Sequence, residues 1–587
     1  MQAGHRSVKP RSELSAALAA CRGAFVGTAL ISGMSNILML TGAMFMLEVY
    51  DRVLPSRSLP TLVGLIILVV VLFAALAVLD AIRARVLARV GGSLDEALSG
   101  RVYDTLVRLP LRIGNRGDGN QPLRDLDAVR SYLSGLGPVA MFDLPWIPLY
   151  LAICFVFHPL LGFTALVGAL VLVALTIATE MMTKAPSRSA MEAAAARNNI
   201  AEASRRNAEV LIAMGMLPRM AARWSEANSH YMASQQRTSD IGGGLGSVSK
   251  VLRMLLQSGV LAVGAWLVIN QQATGGIMIA GSILSARALA PVDLAIANWK
   301  GFVAARQSWA RLNNLLEAMP APAEPMALPA PSHRLTVEGV AATAPGTQKV
   351  LVQDVAFKLE AGQGLGVIGQ SGSGKSSLAR VLVGVWPAVR GKVRLDGAAM
   401  DQWSPERLGP HIGYLPQDVE LLAGSVAENI ARFEDKPDGE AVIAAAKAVG
   451  VHEMIVSLPQ GYETPVGEHG TSLSAGQAQR VALARAVYRN PFLVVLDEPN
   501  SHLDTEGDAA LTRAILGIRE RKGIVVVIAH RPSAIAGVDQ ILVMNQGRVQ
   551  ALGPKDEVLA KVLQRPPGVA VATPINARSE AGGGAGA

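Results

Sequence analysis

Cysteine is nearly absent from this 587-residue sequence: only Cys21 and Cys154 occur, and Cys154 falls inside an apolar run. No disulfide framework or thiolate metal site can be built from such a pair. Charge is sparse too, at 17% of residues against 50% hydrophobic ones, with a mean hydropathy of +0.33. That balance is too apolar for a soluble chain of this length and implies membrane spans. The net charge of +8 raises nucleic acid as a partner. The basic residues, however, cluster in segments flanking apolar runs, as cytoplasmic loops do, so no nucleic acid is expected.

Apolar runs of spanning length lie near 24–47, 61–81, 139–157, 160–182, 251–270 and 274–292, which predicts six spans. The first is too long for the apolar core of a signal peptide and is read as a retained span. His158-Pro159 makes a tight turn between the third and fourth. Arg253 and Arg287 interrupt the last two; an intramembrane cation is either a pathway candidate or a side chain that snorkels to the interface. Asp143 and Glu180, near span ends, read as interfacial. Two long connections, from Arg83 to Arg130 and from Lys184 to Lys250, are basic and helix-patterned, while the alternate ones are short and nearly free of positive charge. Positive-inside bias puts both long loops and both termini in the cytoplasm.

The segment MPAPAEPMALPAPSH carries five prolines in fifteen residues and reads as a semi-rigid linker. Beyond it, short β-rich runs alternate with helical stretches. The expected organisation is a six-span helical membrane domain over 1–318, a linker over 319–333, an α/β P-loop domain over 334–564, and an Ala/Gly/Pro-rich disordered tail over 565–587.

The chemistry is concentrated in the α/β domain. Gly369, Gln370, Ser371, Gly372, Ser373, Gly374, Lys375 and Ser376 match GxxxxGK[ST] between a strand and a helix that continues through Ser377. Such a loop wraps phosphates with backbone N–H groups, its lysine reaches the β/γ oxygens, and its serine ligates Mg²⁺. In FLVVLDEP, four apolar residues bury a strand. Asp497 at its end is placed to help hold Mg²⁺, and the adjacent Glu498 to polarise the attacking water. Gln417 follows another strand and is a further candidate for the metal and the attacking water. His530 ends the strand GIVVVIAH and is a candidate for the γ-phosphate. In LSAGQAQR, Ser474 and Gly476 open a helix and form a second anion site, too far along the chain to close over the same ATP.

The P-loop, Gln417, LSAGQ, LVVLDEP, SHLD and His530 occur in the order found in the ATP-binding-cassette superfamily, which this chain resembles. The resemblance implies that Ser474, Ala475, Gly476, Gln477 and Asp504 serve the ATP of a second copy in trans, so a homodimer is expected. Two positions depart from the pattern. Ala475 replaces a usual glycine, and AATAPGT puts Ala344 where an aromatic residue usually stacks on adenine. Six spans before one nucleotide domain is the layout of an exporter half-transporter. By the same resemblance, LRDLDAVRSYL (123–133) and EVLIAMGML (209–217) sit where coupling helices dock.

The membrane half narrows the resemblance. LEVYDRVLPSRSLPTL, FDLPWIPLYL with HPLLG, and ARALAPVD look like type I secretion ATPases, as does GVWPAVRGKVRLDGAAMDQW with HIGYLPQDVELLAGSVAENIARF. The similarity is to the subfamily exporting proteases, lipases and surface-layer proteins, and only about 23 residues precede the first run, leaving no room for an N-terminal peptidase-like domain. It implies Mg²⁺-ATP-driven export of an unfolded protein with an uncleaved C-terminal signal across the bacterial inner membrane. A periplasmic membrane-fusion adaptor and an outer-membrane channel would be its partners. A lipid or multidrug half-exporter would share every ATPase motif and is the alternative; a soluble cassette ATPase would share them without the spans.

Overall fold

The computed structural model describes residues 12–114, 119–320, 328–467, 472–501, 503 and 505–563. The basic residues before Ser12, Arg116, the middle of the Pro-rich linker, Asp504 and the C-terminal tail lie outside them. Two compact units divide the chain, one built of helices through Gly275–Ala318 and one carrying the strands.

Six helices of the first unit are long and apolar enough to cross a membrane, as the hydropathy pattern predicts: Arg22–Ser56, Leu59–Ile113, Leu136–Phe157, Pro159–Arg206, Leu217–Ile269 and Gly275–Ala318. The second is 55 residues long. At 1.5 Å per residue it spans about 80 Å against a hydrocarbon core of about 30 Å, so much of it projects beyond the bilayer. The expected turn between the third and fourth spans is a helix cap: His158 Nδ1 accepts from Leu160 N at 3.2 Å, and Pro159 needs no donor at the first helical position. Beyond the first span's last apolar turn, Asp51 accepts from Thr274 Oγ1 at 2.6 Å and from Gly276 N at 2.9 Å, holding the first span to the start of the sixth. A Cβ added at Gly276 would lie 2.6 Å from the Asp51 carboxylate and push it off these partners.

The polar residues in the spans behave differently from one another. Asp143 faces its neighbouring helices. It is buried, accepting from Arg83 Nη1 at 3.1 Å and Asn36 Nδ2 at 2.9 Å, and the Tyr150 hydroxyl donates to Asn36 Oδ1 at 3.0 Å. A carboxylate facing apolar neighbours satisfies itself inward when a cation is within reach, and breaking such a buried pair costs about 3–5 kcal/mol. Arg253 is paired with Asp293, which removes it as a free cation. Arg287 is exposed and has no ion pair or hydrogen bond among the described residues. Its helix is unlike the other five. They expose large apolar side chains such as Leu30, Val70, Val156, Leu170 and Leu255, as lipid-facing surfaces do, whereas the sixth exposes none and instead presents Arg287, Ala290, Ala297, Lys300 and Gly301.

The two segments read as coupling helices also diverge. The first falls in helix Gln121–Ser134, which spends its apolar face on its own bundle: Leu126 and Val129 pack with Leu312 and Leu316, and Asp125 binds Arg311 Nε at 3.0 Å. The second forms the short helix Ala208–Ala213 and leaves Val210, Ile212, Met214 and Leu217 exposed.

In the second unit the strands are β1 (Arg334–Thr343), β2 (Val350–Glu360), β3 (Gly364–Gly369), β4 (Arg390–Leu395), β5 (Ala398–Ala399), β6 (Ile412–Leu415), β7 (Leu493–Asp497), β8 (Ile524–Ile528), β9 (Gln540–Asn545) and β10 (Arg548–Pro554). β2-β1-β4-β5 form an antiparallel sheet. The second sheet runs β10-β9-β3-β8-β7-β6, parallel except for the edge pair β9–β10. β7 and β8 are buried along their whole length, which is why they read as unbroken apolar runs rather than as alternation. Val494 and Leu496 pack into one core with the helix Ala475–Val487, and Leu493 and Val495 into the other with the helix Lys375–Leu382.

Candidate nucleotide site

The neighbouring strands β3, β8, β7 and β6 run parallel, so their C-terminal ends meet along one edge, where ligands of such sheets bind. The P-loop leaves β3, His530 follows β8, Asp497 and Glu498 close β7, and Gln417 follows β6. Sheet order therefore converges four segments that are far apart in sequence.

The P-loop backbone has the shape its glycines predict. Gly374 has φ 95°, and an added Cβ would lie 2.5 Å from Leu351 O; Gly372 has φ 76° and open space around it. Lys375 Nζ donates to Gly369 O at 2.9 Å and Gln370 O at 2.8 Å. Burial pushes its ammonium below the usual lysine range, and the Glu498 and Asp497 charges oppose that shift. Gln370 and Ser371 are exposed on the loop, whereas Ser373 and Ser377 are buried.

A hard cation fits the oxygens beside it. Ser376 Oγ lies 3.2 Å from Asp497 Oδ1 and 3.4 Å from Gln417 Oε1. Asp497 Oδ2 is buried and has no partner among the described residues, a costly state unless a ligand satisfies it. Serine, carboxylate and amide oxygens are the donor set Mg²⁺ takes alongside nucleotide phosphates. Bound there, Mg²⁺ would neutralise charge on the β- and γ-phosphates. Burial raises the Asp497 carboxyl above the ordinary aspartate range; the Ser376 hydrogen bond opposes this and the Glu498 charge adds to it. A raised carboxyl keeps its proton to higher pH, and a metal ligand must be deprotonated. Metal affinity should accordingly fall as the pH is lowered from neutral, earlier than an unperturbed aspartate would allow. Mn²⁺ binding to the ATP-loaded protein, followed by EPR, reads this directly. An affinity that stays flat as the pH is lowered, or a fall unchanged in Asp497→Asn, would refute it.

Glu498 carries φ 50°, unusual for a side-chain-bearing residue, and its N–H is held by Ile528 O at 2.9 Å. Its carboxylate meets His530 Nε2 at 3.0 Å and Gln417 Nε2 at 3.4 Å. Glu498, His530, Gln417, Asp497 and Ser376 are thus one contiguous polar cluster, and a carboxylate in that place can accept a proton from water.

Ser474 does not join the cluster. It caps the helix Ala475–Val487 by a reciprocal pair, accepting from Gln477 N at 3.3 Å and donating its own N–H to Gln477 Oε1 at 2.9 Å. Ser474 and Ala475 are exposed, and no hydrogen bond among the described residues ties them or Gly476 to the P-loop. Asp504 lies outside the described residues. Ala344 accepts from Thr347 N at 3.0 Å in a tight turn and offers a methyl group with no aromatic face for a base.

The family models match along the chain: "ABC transporter transmembrane region" over residues 26–292 and "ABC transporter" over 352–501. The type I secretion system ATP-binding protein PrsD of Rhizobium meliloti is 58% identical over 94% of this chain and 94% of its own. This chain belongs to the type I secretion ABC transporters. More distant relatives include the toxin RTX-I translocation ATP-binding protein of Actinobacillus pleuropneumoniae, 29% identical over 91% of this chain and 76% of its own. The cyclolysin secretion/processing ATP-binding protein CyaB of Bordetella pertussis is also 29% identical, over 90% and 75%. The fold matches a bacterial Atm1-family ABC exporter solved with ATP bound, at a TM-score of 0.78 and 22% identity over 93% of this chain and 97% of that one. The transporter is a multi-pass membrane protein that hydrolyses ATP.

One residue of this ABC transporter's site escaped the sequence reading. Gln479 is buried, and its Nε2 reaches Glu498 O, Pro499 O and Ser501 Oγ at 3.2, 2.9 and 3.1 Å. A signal was present: Gln479 begins the apolar stripe of its helix, followed by the buried Ala482, Leu483 and Ala486. A polar residue in such a stripe needs partners.

Proposed function

We propose that this transporter is a homodimer of the bacterial inner membrane that exports unfolded polypeptides with uncleaved C-terminal signals. It works with a periplasmic adaptor and an outer-membrane channel, and no lipid or drug is its cargo. The observation that carries this reading is the 58% identity to a type I secretion protein across 94% of both chains. In each protomer Lys375 and the loop Gly369–Ser377 hold ATP; Ser376, Asp497 and Gln417 would hold Mg²⁺; Glu498 takes the proton of the attacking water; and His530 orients Glu498 and the γ-phosphate. The exposed Ser474 and Ala475, with Gly476, Gln477 and Asp504, close over the partner's nucleotide.

The polypeptide path follows the sixth span. A cation facing lipid is expensive, and a helix that exposes no large apolar side chain is not built for hydrocarbon. Arg287 and the face through Ala297 and Gly301 therefore line an aqueous conduit.

One experiment tests both claims. A secreted protein is stalled by a folded fusion at its N-terminal end, with photo-crosslinkers at positions 287 and 297 of the transporter. The stalled chain should be captured from both positions, and removing its C-terminal signal should abolish capture. Undiminished secretion of every such protein in a strain lacking the transporter would refute the cargo; capture of lipid in place of polypeptide would refute the path.

A further inference from the structure

We propose that Gln479 is the positioning residue through which the partner's nucleotide sets this chain's own Glu498, an inference that rests on the in-trans reading of Ser474–Gln477. Gln479 lies one turn inside the helix Ala475–Val487 and is 3% exposed. Among the atoms its Nε2 meets are two backbone carbonyl oxygens, those of Glu498 and Pro499. Carbonyls only accept, so the amide nitrogen, and not its oxygen, must face the loop.

The backbone of Glu498 is pinned on two sides. Its N–H donates to Ile528 O on the central sheet, and its C=O accepts from Gln479 on the helix whose first residues meet the partner's nucleotide. Between the two pins the chain takes φ 50°, a conformation that persists only where its surroundings over-determine it. The side chain leaves this strained point toward His530 and Gln417. One pin belongs to this chain's own nucleotide platform and the other moves with the helix that senses the partner. A small shift of that helix lengthens the Gln479 bonds and re-aims the carboxylate. Misplacing a catalytic group by about 1 Å can cost about 10²-fold in rate. Each site therefore reaches full activity when the opposite nucleotide has seated the helix.

A buried amide that satisfies two carbonyls also stabilises a fold, so the test must separate the roles. Gln479→Met keeps the length and removes the donor, and Gln479→Glu sets an acceptor against two carbonyls. Gln479→Lys keeps a donor. Each is measured in the full-length transporter in liposomes for kcat, KM for ATP, the Hill coefficient of hydrolysis and thermal stability. Loss of kcat by about 10-fold or more is expected in the first two, with KM unchanged within about twofold and the Hill coefficient falling from above unity to unity. Gln479→Lys should recover cooperativity. If kcat and KM change together while cooperativity persists, or if Gln479→Met turns over as the unmodified protein does, the inference falls. Should Gln479→Met fail to fold, a Gln479→Lys protein that folds but lacks cooperativity overturns it equally. The in-trans reading is decided separately by pairing Ser474 and Glu498 variants, as set out below. A trans result there with cooperativity intact here removes only this inference.

Discussion

Glu498→Gln should bind Mg²⁺-ATP, lock the dimer around it and lower turnover by about 10²–10⁴-fold, the usual worth of a general base. The substitution preserves shape and length and removes only the capacity to take a proton. The backbone position is unaffected, because φ 50° and the Ile528 and Gln479 bonds belong to main-chain atoms. His530 and Gln417 remain within 3.0 and 3.4 Å of the replaced group, so a neutral amide can still be held in place. Single-turnover hydrolysis, with light scattering to follow the dimer, checks both halves of the claim. Hydrolysis within about tenfold of the unmodified protein would show that water is activated elsewhere.

The second expectation is all-or-none. If Ser474 serves the partner's ATP, the position of two lesions in a mixed dimer decides whether any site survives. Placing Glu498→Gln in one protomer and Ser474→Arg in the other puts both lesions in the same composite site and spares its twin. Placing both in one protomer, beside an unmodified partner, damages each site once, and hydrolysis should disappear. A site completed within one chain predicts the reverse. Ser474→Arg loses the cap on Gln477 N, a cost of about 1 kcal/mol that the rest of the helix can absorb. The long cation would instead fill the space a phosphate needs. Purified mixed dimers carrying two affinity tags make the comparison. Activity in the both-in-one arrangement, and its loss when the lesions are split, would refute the trans assignment.

Much of this is legible in the sequence. The P-loop is contiguous, and its glycines encode positive φ at Gly372 and Gly374 directly. The strands β7 and β8 announce burial on both faces through unbroken apolar runs, and each of the six spans is long enough to be read from hydropathy alone. Such features are local: a few neighbouring residues suffice to specify backbone shape or solvent. The same logic found Asp497, Glu498 and His530 as residues ending strands, without stating their separations.

What the sequence could not supply was pairing. Asp143 read as interfacial because it stands near a span end, and its partner Arg83 lies 60 residues away on another helix. Arg253 looked like a free intramembrane cation until Asp293 met it from the next span. Gln479 passed as another polar residue of LSAGQAQR, because its acceptors lie on a loop about twenty residues further on. Composition, spacing and periodicity by themselves determined the class of chemistry, the six spans and the nucleotide loop, because those are written in adjacent residues. Which charges neutralise one another, which cation is left without an ion pair among the described residues, and which amide binds the backbone at Glu498 were decided by tertiary structure alone. Those depend on the few ångströms between elements that only packing brings together.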